Sequence, residues 1–249
     1  MRELLPRIVL LAIFAFASVA AWAVGPQALP QDLEVELALS TMPPHLRDGA
    51  TVYLFDPMSG FRVHRQGSNG FQALVARTDH GAALGSWPYT AYPDDMLIPI
   101  SFDAAGAATH MQVYLDVARL EASGMPPQEL MDRVRGRFAD GTYKAPDRPG
   151  IAYMLAPIVR AYQSPEDTNK VVTFSLPHYM YYAPGITNED IGGGASVFEP
   201  FVQYKKPFAQ GLIIHVTGVE ERRKIREEHA QLLDRLCEIR DTWCLGAVR

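Results

Sequence analysis

The chain has 249 residues, 48% of them hydrophobic, with a formal net charge of −5 at pH 7 and only two cysteines. A mildly acidic chain without a basic stripe is a poor partner for nucleic acid, whose binding rests on neutralising phosphates, and anionic lipid surfaces are disfavoured for the same reason. The length suffices to bury a core without disulfide staples.

Arg2 and Arg7 precede an apolar run from Ile8 to Ala21 that ends in Ala21-Trp22-Ala23. A basic start, a short apolar run and a small-x-small site form the pattern of a secretory signal peptide. The run falls short of the ~20 residues of a membrane-spanning helix, so residues 1–23 are expected to be cleaved, with no membrane insertion afterwards. An uncleaved anchor is the alternative. Residues 24–249 then form the mature protein, expected to be a single α+β domain that is periplasmic or extracellular.

Asp32 to Ser40 alternates like a strand but is rich in helix formers, and Pro43-Pro44 stops it. A short helix is predicted. Thr51–Phe55, Phe61–His64 and Phe71–Ala76 are strand-like runs separated by Asp56-Pro-Met-Ser-Gly60 and Gln66-Gly-Ser-Asn-Gly70, an antiparallel signal. Residues 77–96 read as a long irregular loop. Leu97 to Phe102 reads as a strand, placed at an edge by Pro99. Asp103–Gly106 is expected to turn, Met111, Val113 and Leu115 to alternate as another strand, and Asp116 to cap a short helix. Pro127 opens a better helix with an apolar stripe at Leu130, Met131, Val134 and Phe138. Val171–Leu176 and Gly211–Val216 complete the predicted strands.

Thr217-Gly-Val-Glu220 has the form of a capping box. Ile225, His229, Leu232, Leu236, Ile239 and Trp243 follow at spacings of four and three residues. One amphipathic helix packed on the sheet is expected. If it continued to Cys244, the Cα atoms of Cys237 and Cys244 would stand ~10.5 Å apart, beyond the ~7 Å that a disulfide tolerates. A bridge therefore requires the helix to end first. The expected fold is α+β, an antiparallel sheet with flanking helices.

Thr173–Gly194 carries the densest chemistry: an imidazole, three phenols, two carboxylates and a glycine-rich exit. Pro177 and Pro184 bracket His178, Tyr179, Met180, Tyr181 and Tyr182. His178 can act as a proton donor or acceptor, and the phenols can orient or stack on a ligand. Glu189 and Asp190 would serve as carboxylate partners at the rim. A Tyr-rich strand packed into the core, with His178 bonded to a backbone carbonyl, is the plain alternative. His178-x-Met180 and His110-Met111 would suit copper, but methionine more often fills core gaps, and no metal site is assigned. Asp79-His80, Asp94-Asp95 and Gly192-Gly-Gly194 read as surface turns or loops. Gly-x-Ser-x-Gly, Ser-x-x-Lys, His-Glu-x-x-His, P-loop and Gly-x-Gly-x-x-Gly motifs are absent, which demotes serine hydrolase, zincin and nucleotide-binding chemistry.

Arg47-Asp-Gly-Ala-Thr-Val-Tyr53, Gln66-Gly-Ser-Asn-Gly-Phe71, Ala145-Pro-Asp-Arg-Pro-Gly-Ile-Ala-Tyr-Met-Leu155, Pro177–Pro184 and Thr187-Asn-Glu-Asp-Ile-Gly192 together resemble a family of exported bacterial proteins without an assigned activity. The resemblance implies an envelope or extracellular setting and carries over no catalytic residue. The expected function is binding of a small molecule or an envelope component at His178–Tyr182. The alternatives are a hydrolase or lyase using His178 with a carboxylate, and a structural envelope protein without a site.

Overall fold

The computed structural model describes residues 25–79, 92–162, 171–194, 196–203 and 207–246. The leader and the His80 end of the long loop lie outside them. Helix α1 (Gln31–Leu39) and the turn α2 (Pro44–Arg47) precede strands β1 (Thr51–Asp56), β2 (Gly60–Arg65), β3 (Gln72–Ala76) and β4 (Ile98–Phe102). Three helices follow: α3 (Ala104–Ala108), α4 (His110–Ala122) and α5 (Pro127–Ala139). Then come β5 (Ile151–Met154), β6 (Val159–Tyr162), β7 (Val171–Phe174) and β8 (His178–Tyr182). The short α6 (Asn188–Ile191), β9 (Phe201–Val202), β10 (Leu212–Val216), α7 (Val219–Glu228) and α8 (Ala230–Ile239) close the described chain, before a final 3-10 turn at Asp241–Trp243.

Eight strands form one sheet in the order β2-β1-β3-β4-β5-β8-β10-β9, while β6 and β7 pair as a separate antiparallel hairpin. The fold is α+β and mostly antiparallel. One pairing departs from the expected pattern: β1 and β3 run parallel, through Thr51–Val52 and Gln72–Ala73. Among the described residues no helix is long and apolar enough to cross a membrane.

Each sheet face carries its own core. On one face Ile98, Ile100 and Phe102 join Ala152, Met180 and Ile214 beneath α3, α4 and the β6–β7 hairpin. On the other, Val52, Ala73 and Val75 pack against Leu33 and Leu37 of α1 and Leu232 and Leu236 of α8. A third cluster joins Val113 and Val117 of α4 to Leu130 and Val134 of α5.

Several expectations are corrected. Met111, Val113 and Leu115 belong to helix α4, not a strand; His110, Val113 and Val117 are buried at helical spacing. Asp103 caps α3 by accepting the Gly106 N–H at 2.9 Å. Strand β4 is interior rather than an edge. Just before it, the Leu97 N–H donates to the Arg160 carbonyl of β6, whereas the ladder of β4 to β5 begins only at Ser101. Pro99 lies between these two contacts, where its missing N–H leaves no ladder bond unmade. The C-terminal helix is two segments meeting at His229. The expected capping box does not form: Gly218 is the N-cap, and the Thr217 hydroxyl donates to the Pro177 carbonyl at 2.9 Å. The acidic turn at Thr187 is the start of α6, with a capping box of its own. Because α8 ends at Ile239 and the chain turns, Cys237 and Cys244 come to a Cα separation of 4.4 Å and form a disulfide.

One ion pair joins α1 to the end of β3 inside the protein. Glu34 and Arg77 approach to 3.0 Å with side chains 1% and 2% exposed. Glu34 also accepts the Phe55 N–H at 3.0 Å, and Arg77 donates to the carbonyls of Val75 and Gln27. Removing one member strands the other charge, a loss of about 3–5 kcal/mol, while replacing both with apolar groups of similar volume is far milder. Arg77→Met should therefore lower the urea midpoint by an amount worth about 3–5 kcal/mol. The Glu34→Leu/Arg77→Met pair should lose less than either single variant.

Candidate functional site

Strand β8 lies between β5 and β10, with Met154, His178 and Val216 in register, then Ala152, Met180 and Ile214. Strand side chains alternate between faces. His178, Met180 and Tyr182 therefore point to the α3–α4 face, and Tyr179 and Tyr181 to the other.

On the α3–α4 face is a cavity of about 210 Å³. Ile98, Ile100 and Phe102 of β4, Met154 of β5, and His178 and Met180 of β8 belong to its lining. The β6–β7 hairpin contributes Val159, Ala161, Tyr162 and Phe174; Leu212 and Ile214 of β10 and His110 and Tyr114 of α4 also line it. Its remaining polar lining comes from Asp79, Gln203 and Gln210. Protein interiors are ordinarily close-packed with few voids larger than a water. A mostly apolar volume of this size, ringed by a few polar groups, has the makeup of a ligand pocket.

His178 is buried, and its Nδ1 lies 2.6 Å from the Leu176 carbonyl oxygen. A carbonyl only accepts, so Nδ1 carries the proton and Nε2 is the lone-pair nitrogen of the neutral ring. Burial lowers the pKa of His178, opposed by that hydrogen bond. The Pro177 carbonyl just before β8 accepts both the Thr217 N–H and hydroxyl at 2.9 Å, fixing the entry of the strand.

His110 occupies the first turn of α4 and stacks on Tyr182, with ring centroids 4.6 Å apart. Its Nε2 lies 3.2 Å from the Gln210 carbonyl and its Nδ1 3.2 Å from the Thr109 hydroxyl. Burial lowers its pKa to about 4, against the opposing pull of the Gln210 hydrogen bond and of Asp103. Tyr182 supports the cavity from behind. Its hydroxyl donates to the Ile151 carbonyl at 2.9 Å, and burial raises its pKa. The backbone at Gly106 comes so close that a Cβ would sit 1.8 Å from this hydroxyl. Gly106 must therefore be glycine for α3 to seat.

The structure separates the six expected site residues. His178 lines the cavity and Tyr182 stands directly behind it. Tyr179 and Tyr181 are on the opposite face, where Tyr179 meets Tyr153 edge-on at 5.8 Å and Tyr181 is 41% exposed. Glu189 and Asp190 are exposed on α6. Asp190 accepts the Thr187 N–H and hydroxyl at 2.9 Å, bonds that lower its pKa and complete the cap of α6. Neither carboxylate is in the cavity lining. Asp103 is engaged with the N–H groups of Gly106 and Ile151. Asp79, read from sequence as part of a surface loop, is the carboxylate that does line the cavity. Among the described residues no three His, Cys, Asp or Glu side chains gather to hold a metal.

Gln210 was not singled out by the sequence, and His110 was considered only with Met111 as a copper pair; both line the cavity. The available signal was the helical spacing of His110, Val113 and Val117, which marks His110 as inward-facing once the segment is read as a helix. Comparison with protein-family models, curated proteins and solved structures found no match.

The two neutral imidazoles set a pH dependence. The fold holds His110 unprotonated down to about pH 4, whereas the unfolded chain takes up this proton near pH 6.5. The stability tied to His110 is thus fully present above about pH 6.5 and is lost as pH falls toward 4, by about 3 kcal/mol in all. His178 acts in the same direction. Urea titrations at pH 7 and pH 4.5 should show this loss, and His110→Phe should flatten the acid slope.

Proposed function

We propose that this is an exported protein that binds a small, predominantly apolar molecule in the cavity on the α3–α4 face of its sheet. The observation that carries the reading is the cavity itself, about 210 Å³ of mostly apolar lining beside a close-packed core. An apolar cavity of about 150 Å³ accommodates benzene. The volume here therefore suits one ring with a short substituent. Export is supported by the leader pattern and by the Cys237–Cys244 disulfide, since such bonds persist in oxidising compartments. The resemblance to exported bacterial proteins points to the same setting.

Hydrolase or lyase chemistry has weaker support. The hydrogen bond of His178 goes to a backbone carbonyl rather than to a carboxylate, and Glu189 and Asp190 stand outside the lining.

Binding is tested by thermal unfolding and calorimetry with single-ring compounds, beginning with toluene and indole. A ligand present at about 100 times its Kd stabilises the native state by about 2.7 kcal/mol. For a protein of this size that is a rise in Tm of about 5–10 °C. Ala161→Phe, which fills the cavity from the β6 side, should fold and show no such rise. No binding by any single-ring compound to the wild-type protein would reject the proposal.

A further inference from the structure

The cavity wall formed by the β6–β7 hairpin is tied to the last turn of the chain, and a disulfide closes that turn. The inference drawn from this rests on the binding reading above and concerns the regulation of the same site.

The hairpin supplies Val159, Ala161, Tyr162 and Phe174 to the cavity lining, yet it stands outside the eight-stranded sheet. A two-stranded hairpin is marginally stable by itself in water, so its order depends on what it is fastened to. Leu97 and Arg160 exchange backbone bonds of 3.0 and 2.8 Å, one such fastening. Side chains supply further ones. Arg160 pairs with the buried Asp95 at 2.7 Å, and its guanidinium donates to Thr173 Oγ1 at 3.2 Å and to the Val171 carbonyl at 3.3 Å. Asp95 accepts the Thr242 hydroxyl at 2.8 Å, and the Thr173 hydroxyl donates to the Thr242 carbonyl. Thr242 thus meets both strands of the hairpin, β7 directly and β6 through Asp95.

Helix α8 ends at Ile239, and the turn Asp241–Trp243 follows it. Trp243 is buried and its indole N–H donates to the Asp95 carbonyl at 2.8 Å, which anchors the turn from the inside. Thr242 beside it is exposed. Its carbonyl is kept on β7 by closure of the loop between the half-buried Cys237 and Cys244, whose Cα atoms stand 4.4 Å apart. Opening that loop returns conformational freedom to the segment around Thr242.

We propose that the Cys237–Cys244 disulfide is a redox control on the cavity: reduction frees the C-terminal turn, loosens the β6–β7 wall and weakens binding of the apolar ligand. The step is thiol–disulfide exchange with a dithiol. The Sγ–Sγ bond breaks, two electrons and two protons from the dithiol leave Cys237 and Cys244 as thiols, and the dithiol closes to its own disulfide. A loosened wall lowers the fraction of protein competent to bind, and the apparent affinity falls by that fraction. Linkage makes the effect reciprocal, so bound ligand opposes reduction by the same factor.

Calorimetry at pH 7 with toluene and indole, on the oxidised protein and on protein reduced with dithiothreitol, measures this coupling. Affinity should fall about 5-fold or more on reduction, the lower end of ordinary coupling between sites. Saturating ligand should shift the equilibrium with dithiothreitol toward the disulfide by the same factor, about 20 mV for fivefold in a two-electron couple. Hydrogen exchange should show protection lost at the β6–β7 amides on reduction and kept at those of β8 and β10. Thr173→Val/Thr242→Val cuts the link with the disulfide intact; its binding should already be weakened, and reduction should add little. Equal affinity in the two redox states, or tighter binding after reduction, would overturn the proposal and leave the cavity reading intact. So would full redox sensitivity in the double variant. A reduced protein that loses protection at β8 as well would also overturn it, since the whole fold rather than the wall would have opened. No binding of either compound to the oxidised protein would reject the cavity reading and the control with it.

Discussion

Strand β8 can present only alternate side chains to each face of the sheet, and the candidate site depends on which set faces α4. Because β8 has partners on both sides, a one-residue slip would have to break the β5 and β10 ladders together and exchange the faces. Tyr182 guards against this. Its ring stacks on His110, its hydroxyl bonds the Ile151 carbonyl, and the absence of side chains at Gly106 and Gly150 admits it. With Tyr182 fixed, Met180 and His178 follow at two-residue intervals along the cavity wall.

The β6–β7 hairpin forms the facing part of that wall, and its position is coupled to the C-terminus. Arg160 of β6 pairs with Asp95 at 2.7 Å and donates across the hairpin to Thr173 at 3.2 Å. Asp95 also accepts the Thr242 hydroxyl at 2.8 Å, and its carbonyl accepts the Trp243 indole N–H at 2.8 Å. Arg240 pairs with Asp94 alongside. The Cys237–Cys244 disulfide closes the turn that carries Thr242 and Trp243. The last turn of the chain thus bears, through one buried-side carboxylate, on the hairpin that lines the cavity. His178, on the opposite wall, is held by its own bond to the Leu176 carbonyl, while Thr217 bonds the neighbouring Pro177 carbonyl.

Much of the fold could be read from the residues, for reasons that differ by element. Thr51–Asp56 and Gly60–Arg65 were evident as a hairpin because turn residues separate two β-rich runs. The Pro127 helix was evident because a permitted first-turn proline precedes an apolar stripe. Three alternating apolar residues at Met111–Leu115 favoured a strand, but tertiary packing against β2 and α5 stabilises a helix there instead. Pro99 suggested an edge because local sequence does not reveal where a neighbouring strand stops. The Thr217 box failed because the nearby Pro177 carbonyl takes the hydroxyl, a contact 40 residues distant in sequence. The site was legible only in half. His178 and Tyr182 belong to the cavity side, while Tyr179 and Tyr181 were grouped with them by proximity along a strand that sends them elsewhere. The lining from β4, β6 and β10 is assembled by the sheet and has no mark in any single stretch.

The central claim is that an accessible apolar void lies beside β8. Xenon binds dry apolar cavities without needing a polar contact, so the most direct measurement is a crystal structure of the protein under xenon pressure. The account predicts a xenon site among Ile100, Met180 and Ile214, with the surrounding side chains unmoved. A cavity collapsed by rotation of those side chains, or filled by ordered water bonded to His178 and Gln210 with no xenon entering, would contradict it.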